Sequence, residues 1–261
     1  PMMPSMLAMQ FNQGSRDWQD TTYDLLARYW MDTDLGTWRF SLARKNRVPT
    51  HLERFGWLPI AASAGLADGN NYIGDRQLDP EVAWIVEAGI DLAGGTWWLR
   101  PTLFYHRITD YIQGIPFDAT VGVADSMVEM VSMMNGDGTP LRFGNVDARM
   151  VGMDADFGWQ LGQFWRIEGV VSIVRGERRD LGDDLYRISP DRFRLGLAYA
   201  RSAWSITLEG MAVAAQERVS DTNSEVETAG YGLFNLHGDW KLSESLHISG
   251  GIENLFDREY R

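Results

Sequence analysis

Cysteine is absent from the 261 residues. That excludes a disulfide framework, a thiolate metal site and a cysteine nucleophile. Histidine is scarce too, with four in all, and none stands at the spacing of paired metal ligands. No run reaches the roughly 18 apolar residues that a helical membrane span needs; the longest, residues 58–67, is short and contains Pro59. The first ten residues lack the basic region of a signal peptide. Positive charge is in deficit, with 24 Lys and Arg against 36 Asp and Glu and a net charge of −12. This argues against a protein that works by neutralising nucleic-acid phosphates, so nucleic acid is not an expected partner. Also missing are a Gly-x-Ser-x-Gly nucleophile turn, a P-loop and a His-Glu-x-x-His zinc motif. No enzymatic activity, catalytic residue or resident cofactor is therefore expected. The stretch Gly136–Asp137–Gly138 lacks the further ligands of a calcium loop.

What the chain has in quantity is alternation. Val82, Trp84, Val86, Ala88, Ile90 and Leu92 take every second position, with Glu81, Glu87 and Asp91 between them. Val151, Met153, Ala155, Phe157, Trp159 and Leu161 do the same around Asp154 and Asp156. Period two means strands with one apolar and one polar face. The same pattern recurs over 23–31, 38–42, 97–105, 165–173, 193–199, 204–208, 234–242 and 246–252, giving ten strands and no convincing helix. Short links (32–36, 91–95, 160–163, 200–203 and 241–245) alternate with long ones (about 45–79, 111–143, 177–190 and 215–228). In one antiparallel sheet this gathers the tight turns at one end and the long loops at the other.

Seven of the 11 tryptophans, Trp38, Trp97, Trp98, Trp159, Trp165, Trp204 and Trp240, lie beside a short turn. An indole is favoured at a membrane interface, where its body is apolar and its N–H stays wet. The opposite faces carry Arg39, Glu87, Arg100, Asp154, Asp156, Glu168, Arg194, Glu209 and Asp239. Mixed charge suits a solvated lumen, whereas packed in a soluble sandwich core it would need costly pairing. The expected fold is all-β, an antiparallel up-and-down transmembrane barrel with its apolar face in lipid.

Three stretches carry a resemblance. Residues 46–56, with Arg47, Pro49, Thr50 and Glu53, resemble an Arg-x-Pro-Thr/Ser-x-x-Glu element of TonB-dependent outer-membrane receptors. Residues 71–92 are similar to a second element of theirs, through Leu78, Pro80, Glu81, Glu87 and Gly89. Asn254, Leu255, Phe256, Asp257, Arg258 and Tyr260 resemble the late-barrel Asn-Leu-Phe-Asp signature. The resemblance implies a bacterial outer-membrane, multi-pass transport protein with a barrel of about 22 strands, a plug and a segment that engages TonB. Residues 1–261 would then be its C-terminal barrel portion, ten strands running through Asn-Leu-Phe to an end before the closing strand. The plug, the TonB-binding region and the remaining strands would lie elsewhere, and the expected partners are outer-membrane lipid, the TonB complex and the rest of the barrel.

For cargo, the methionines point to copper. They cluster at Met2, Met3, Met6 and Met9 and again at Met127, Met130, Met133 and Met134, and thioethers are soft ligands that select Cu(I). The second cluster is the candidate metal-contact site. Residues 53–75, with Trp57-Leu58-Pro59 and Ala64 to Gly69, also look like a loop of copper-type receptors. The alternatives are an iron–siderophore receptor, in which Arg47, Arg54, Arg178 and Arg179 would meet an anionic chelate, and a passive porin or structural barrel.

Overall fold

The computed structural model describes residues 9, 12–14, 18–56, 60, 61, 69–118 and 126–260. Ten strands form one continuous antiparallel path: β1 (Leu25–Thr33), β2 (Gly36–Arg47), β5 (Glu81–Ala93), β6 (Trp97–Pro116), β7 (Leu141–Gln160), β8 (Trp165–Arg178), β9 (Arg192–Ala200), β10 (Trp204–Val213), β11 (Tyr231–Lys241) and β12 (His247–Ile252). Each pairs with its sequence neighbour in this path, as an up-and-down sheet requires, and the ten are those that the alternation marks. Two short strands, β3 (Ile60–Ala61) and β4 (Asn71–Ile73), pair with each other, and β4 also runs parallel to the start of β7.

The register carries one apolar face across the whole sheet. Phe40 stands opposite Ala88, which stands opposite Leu103, which stands opposite Met153, then Ile173. The same face continues as Leu197, Leu208, Leu236 and Ile252. Leu103 is 59% exposed and Ile252 55%, so nothing among the described residues covers this surface. At the short-turn edge Trp97 pairs with Trp159 and Trp204 with Trp240, and the Tyr199 ring sits 4.7 Å from Trp165 and 5.4 Å from Trp204. Trp98 departs from the expected girdle. Its register partner is Gly158, on the polar face, and a Cβ at Gly158 would lie 2.0 Å from the indole. Six of the seven tryptophans therefore line the apolar rim, and the seventh lies flat against the polar side.

The polar face is tied by ion pairs and hydrogen bonds rather than packed. Arg39 bonds Asp91 and Thr102, Arg100 reaches Asp156, Ser172 donates to Asp154, and Arg194 meets Glu209. Asp154 and Asp156 are thus lining groups with partners.

Three expectations need correction. First, helices exist: α1 (His51–Phe55) and α2 (Met127–Met134). Second, β6 and β7 run some ten residues beyond the alternating stretch, with a bulge where Thr109 and Asp110 oppose Asp147. Alternation fades there because both faces are covered by protein. Ile108 and Ala148 pack under Leu185 on one side, while Ile112, Leu141 and Phe143 pack against Tyr72 and Leu78. Third, the last strand stops at Ile252. Asn254 and Asp257 adopt φ of 48° and 50°, a left-handed region in which Asn and Asp are the best tolerated non-glycine residues, so the Asn-Leu-Phe-Asp stretch is a turn. It folds back on β11: Leu255 N–H donates to the Phe234 carbonyl (2.7 Å) and Phe256 meets the Phe234 ring edge-on at 5.5 Å.

Candidate functional site: the loop cap and its methionine helix

The buried polar residues of the chain collect at the long-loop end. There the loops knit into one cap over the sheet.

Thr50 and Glu53 close a reciprocal capping box that starts α1. Arg47 then bridges two sequence elements, donating to Glu53 at 2.9 Å and to Glu81 at 2.6 Å. Glu81 also accepts the Ile112 N–H. Burial pushes the Glu53 carboxyl up, but hydrogen bonds from Arg47 and from the Thr50 N–H outweigh it and leave Glu53 below its ordinary range. Arg54 is buried and forms a two-pronged pair with Asp20 plus a bond to the Leu78 carbonyl. The first two sequence elements therefore clamp the 48–80 connection.

Ser126 and Glu129 form a second capping box, which starts α2. The helix turns its polar residues inward: Glu129 and Ser132 are buried, and Asn71 Nδ2 donates to Ser132 Oγ at 2.9 Å. Asp137 follows, accepting the Asn71 N–H at 2.6 Å and the Thr139 N–H at 2.9 Å, so this carboxylate serves a turn. At 100° per residue Met127, Met130, Met133 and Met134 share the opposite arc, and they are 41%, 48%, 50% and 86% exposed. The four predicted contact residues are thus brought onto one outward face. Met2, Met3 and Met6, and most of the Trp57–Gly69 stretch, lie outside the described residues.

The third and fourth long loops interlock. Asp183 accepts hydrogen bonds from Ser220 Oγ and from the Asp221 and Thr222 N–H groups. Burial raises its carboxyl, and these donors more than reverse that, holding it below the ordinary value. Asn223, 1% exposed, joins the first and fourth long loops to the upper end of β6: it donates to the Tyr72 hydroxyl, accepts from Gln113 and Ser220, and its carbonyl accepts from Asn70. Asn223 and Asp183 were not singled out from sequence, since an Asx residue in a loop carries no signal for a partner 40 to 150 positions away.

The four arginines considered for an anionic chelate are all engaged with carboxylates. Arg47 and Arg54 are paired as above, Arg178 bonds Asp180 at 2.6 Å, and Arg179 lies 3.5 Å from Asp147. Among the described residues no group of three or more His, Asp or Glu is placed to hold a metal ion.

An uncovered apolar face, an aromatic rim at the tight turns and long structured loops at the other end define a membrane β-barrel sheet. The family described as TonB dependent receptor-like, beta-barrel matches residues 7–255, and the chain belongs to that family of bacterial outer-membrane barrels. No curated protein matches the sequence. Solved structures share the fold. The copper transporter OprC matches at 22% identity and a TM-score of 0.72, over 91% of this chain and 34% of that one. The siderophore receptor PirA from Pseudomonas aeruginosa matches at 18% and 0.60, over 90% and 39%. The ferric enterobactin receptor PfeA matches at 16% and 0.67, over 91% and 35%. The chain spans about a third of the length of these structures.

Proposed function

We propose that the chain is the C-terminal barrel portion of a TonB-coupled outer-membrane receptor whose plug and closing strand lie in sequence beyond it. We further propose that this receptor imports a scarce metal or metal complex, copper foremost, and that Met127, Met130, Met133 and Met134 contact the ion on its way in. The observation that carries this is the outward methionine face of α2. Two features favour a soft cation there. Thioethers discriminate for Cu(I) over hard ions, and the last turn of α2 holds no basic residue, leaving the negative end of the helix dipole uncompensated beside Met133 and Met134. OprC is a copper transporter, whereas PirA and PfeA are siderophore receptors; at these identities their likeness supports the fold and does not choose between cargoes. Against the chelate reading stands the engagement of Arg47, Arg54, Arg178 and Arg179 with carboxylates of the chain itself.

The test uses the full-length receptor with all four methionines replaced by leucine, a volume-conserving change that exposed positions tolerate. Copper accumulation in cells should fall while barrel assembly, read by heat-modifiable gel mobility, stays unchanged. Undiminished copper uptake by the variant overturns the assignment.

A further inference from the structure

A methionine serves as a soft ligand only while its sulfur is reduced. Hydrogen peroxide oxidises a thioether directly. The sulfur gives two electrons to the O–O bond and takes one oxygen as an S–O bond, and the other oxygen leaves as water. The product is a sulfoxide, more polar than the thioether, which presents a hard oxygen where a soft sulfur stood. Access decides which methionines of a folded chain react.

The 12 methionines differ widely in access. Met134 is 86% exposed, and Met127, Met130 and Met133 are exposed beside it on the outward arc of α2. Met150 instead packs against Ile108, Ala148 and Leu185. Met211 is half-buried on β10, paired with Arg194 on one side and Leu233 on the other. Met31 and Met153 stand on the apolar face, opposite Trp38 and between Leu103 and Ile173, where the membrane reading places lipid. Met9 is exposed but stands singly among the described residues. Only α2 gathers several open thioethers among those residues.

The helix is held in a way that tolerates the change. Its ties lie on the inward side: the capping box of Ser126 and Glu129, the burial of Glu129 and Ser132, and the hydrogen bond from Asn71 to Ser132. None of them uses a methionine. An oxygen added on the outward arc meets solvent and makes no packing defect. The same oxygen on Met150 would enter an apolar cluster without a donor. Oxidation of α2 therefore alters its ligand chemistry and leaves its fold in place.

We propose that Met127, Met130, Met133 and Met134 form a sulfoxidation site for hydrogen peroxide, and that their oxidation switches off the soft-cation contact of α2. The inference rests on the reading of this face as a copper contact. The response is graded, because each oxidation removes one soft donor, and Met134, the most open, reacts first. Cu(I) and peroxide react with each other to give damaging oxidants. A receptor that loses its soft donors in peroxide takes in less copper when copper does most harm.

The test treats the full-length receptor in detergent with hydrogen peroxide, removes the peroxide with catalase, and maps the oxygen gained by peptide mass spectrometry. Equilibrium dialysis then measures binding of Ag(I), a soft monovalent ion that stands in for Cu(I). The peptide holding 127–134 should gain oxygen before those holding Met150 and Met211. Ag(I) affinity should fall by at least the roughly ten-fold that disturbing only a ligand's surroundings costs. Methionine sulfoxide reductase with dithiothreitol should restore it, which separates sulfoxidation from unfolding. M127L/M130L/M133L/M134L should bind Ag(I) weakly from the start and lose nothing further in peroxide. Oxidation that spares 127–134, or full oxidation there with unchanged Ag(I) affinity, overturns the proposal and leaves the copper contact standing. Untreated wild type that binds Ag(I) no better than the leucine variant overturns the copper contact and the switch with it.

Discussion

Replacing Asn223 by alanine should loosen the first and fourth long loops and the upper end of β6 while leaving the rest of the sheet alone. The substitution removes the side-chain hydrogen bonds to Tyr72 (3.2 Å), from Gln113 (3.1 Å) and from Ser220 (3.0 Å). At about 1 kcal/mol each they sum to about 3 kcal/mol. Gln113 suffers further, since its Oε1 already lacks a partner and its buried amide would then lose its acceptor. The bond from Asn70 to the residue 223 carbonyl survives, which limits the damage to local opening. Every 1.4 kcal/mol is about a factor of ten, so amides in these segments should exchange with deuterium roughly a hundred-fold faster. Hydrogen-exchange mass spectrometry of the full-length protein in detergent would read peptides covering 70–74, 111–114 and 216–228, with 165–173 in β8 as the control. If these three peptides exchange as in wild type, or if β8 accelerates as much as they do, Asn223 is not the tie between them.

Acid should open the joint between the third and fourth loops. The Asp183 carboxyl lies below the ordinary value of 3.8 in the folded protein, so its contribution is complete above that value and is lost as pH falls through the lowered one. Exchange of the 216–228 amides should rise over that acidic window in wild type and be high at all pH values in Asp183→Ala; a flat wild-type profile contradicts the clamp. Arg47→Ala leaves Glu53 and Glu81 facing each other without their shared cation, at a cost of about 1–2 kcal/mol once the partial exposure of Arg47 is allowed for. The 48–80 connection should then be cut faster by limited proteolysis. Arg47→Lys should restore it only in part, because a single ammonium lacks the fork that spans two carboxylates. Unchanged proteolysis of the alanine variant would remove Arg47 from this role.

The sheet was legible because lipid-facing and lumen-facing positions impose opposite chemistry on alternate residues, and β5, from Val82 to Leu92, records this in plain form. The cap was not legible by the same means. Helix α2 hides Glu129 and Ser132 and displays methionine, so its apolar pattern is inverted and hydrophobic periodicity misses it. The local signal that does survive is the capping box, Thr50 with Glu53 and Ser126 with Glu129, which would have marked both helix starts. The upper parts of β6 and β7 lost their alternation to coverage on both faces, by Leu185 and by Tyr72. Of the candidate site, sequence supplied the four methionines. Their common face and the carboxylate partners of the arginines required the fold.

The orientation of the sheet in the bilayer can be tested most directly by site-directed spin labelling at adjacent positions of one strand, made simple because this chain contributes no cysteine. Single cysteines at Thr102 and Leu103, and at Asp154 and Met153, would carry the label in the full-length protein in lipid vesicles. Leu103 and Met153 share the apolar face, whereas Thr102 and Asp154 share the polar one. Labels at Leu103 and Met153 should collide mainly with membrane-dissolved oxygen, and those at Thr102 and Asp154 mainly with a water-soluble nickel chelate. Equal accessibility within each pair, or the reverse pattern, would contradict a sheet whose apolar face meets lipid.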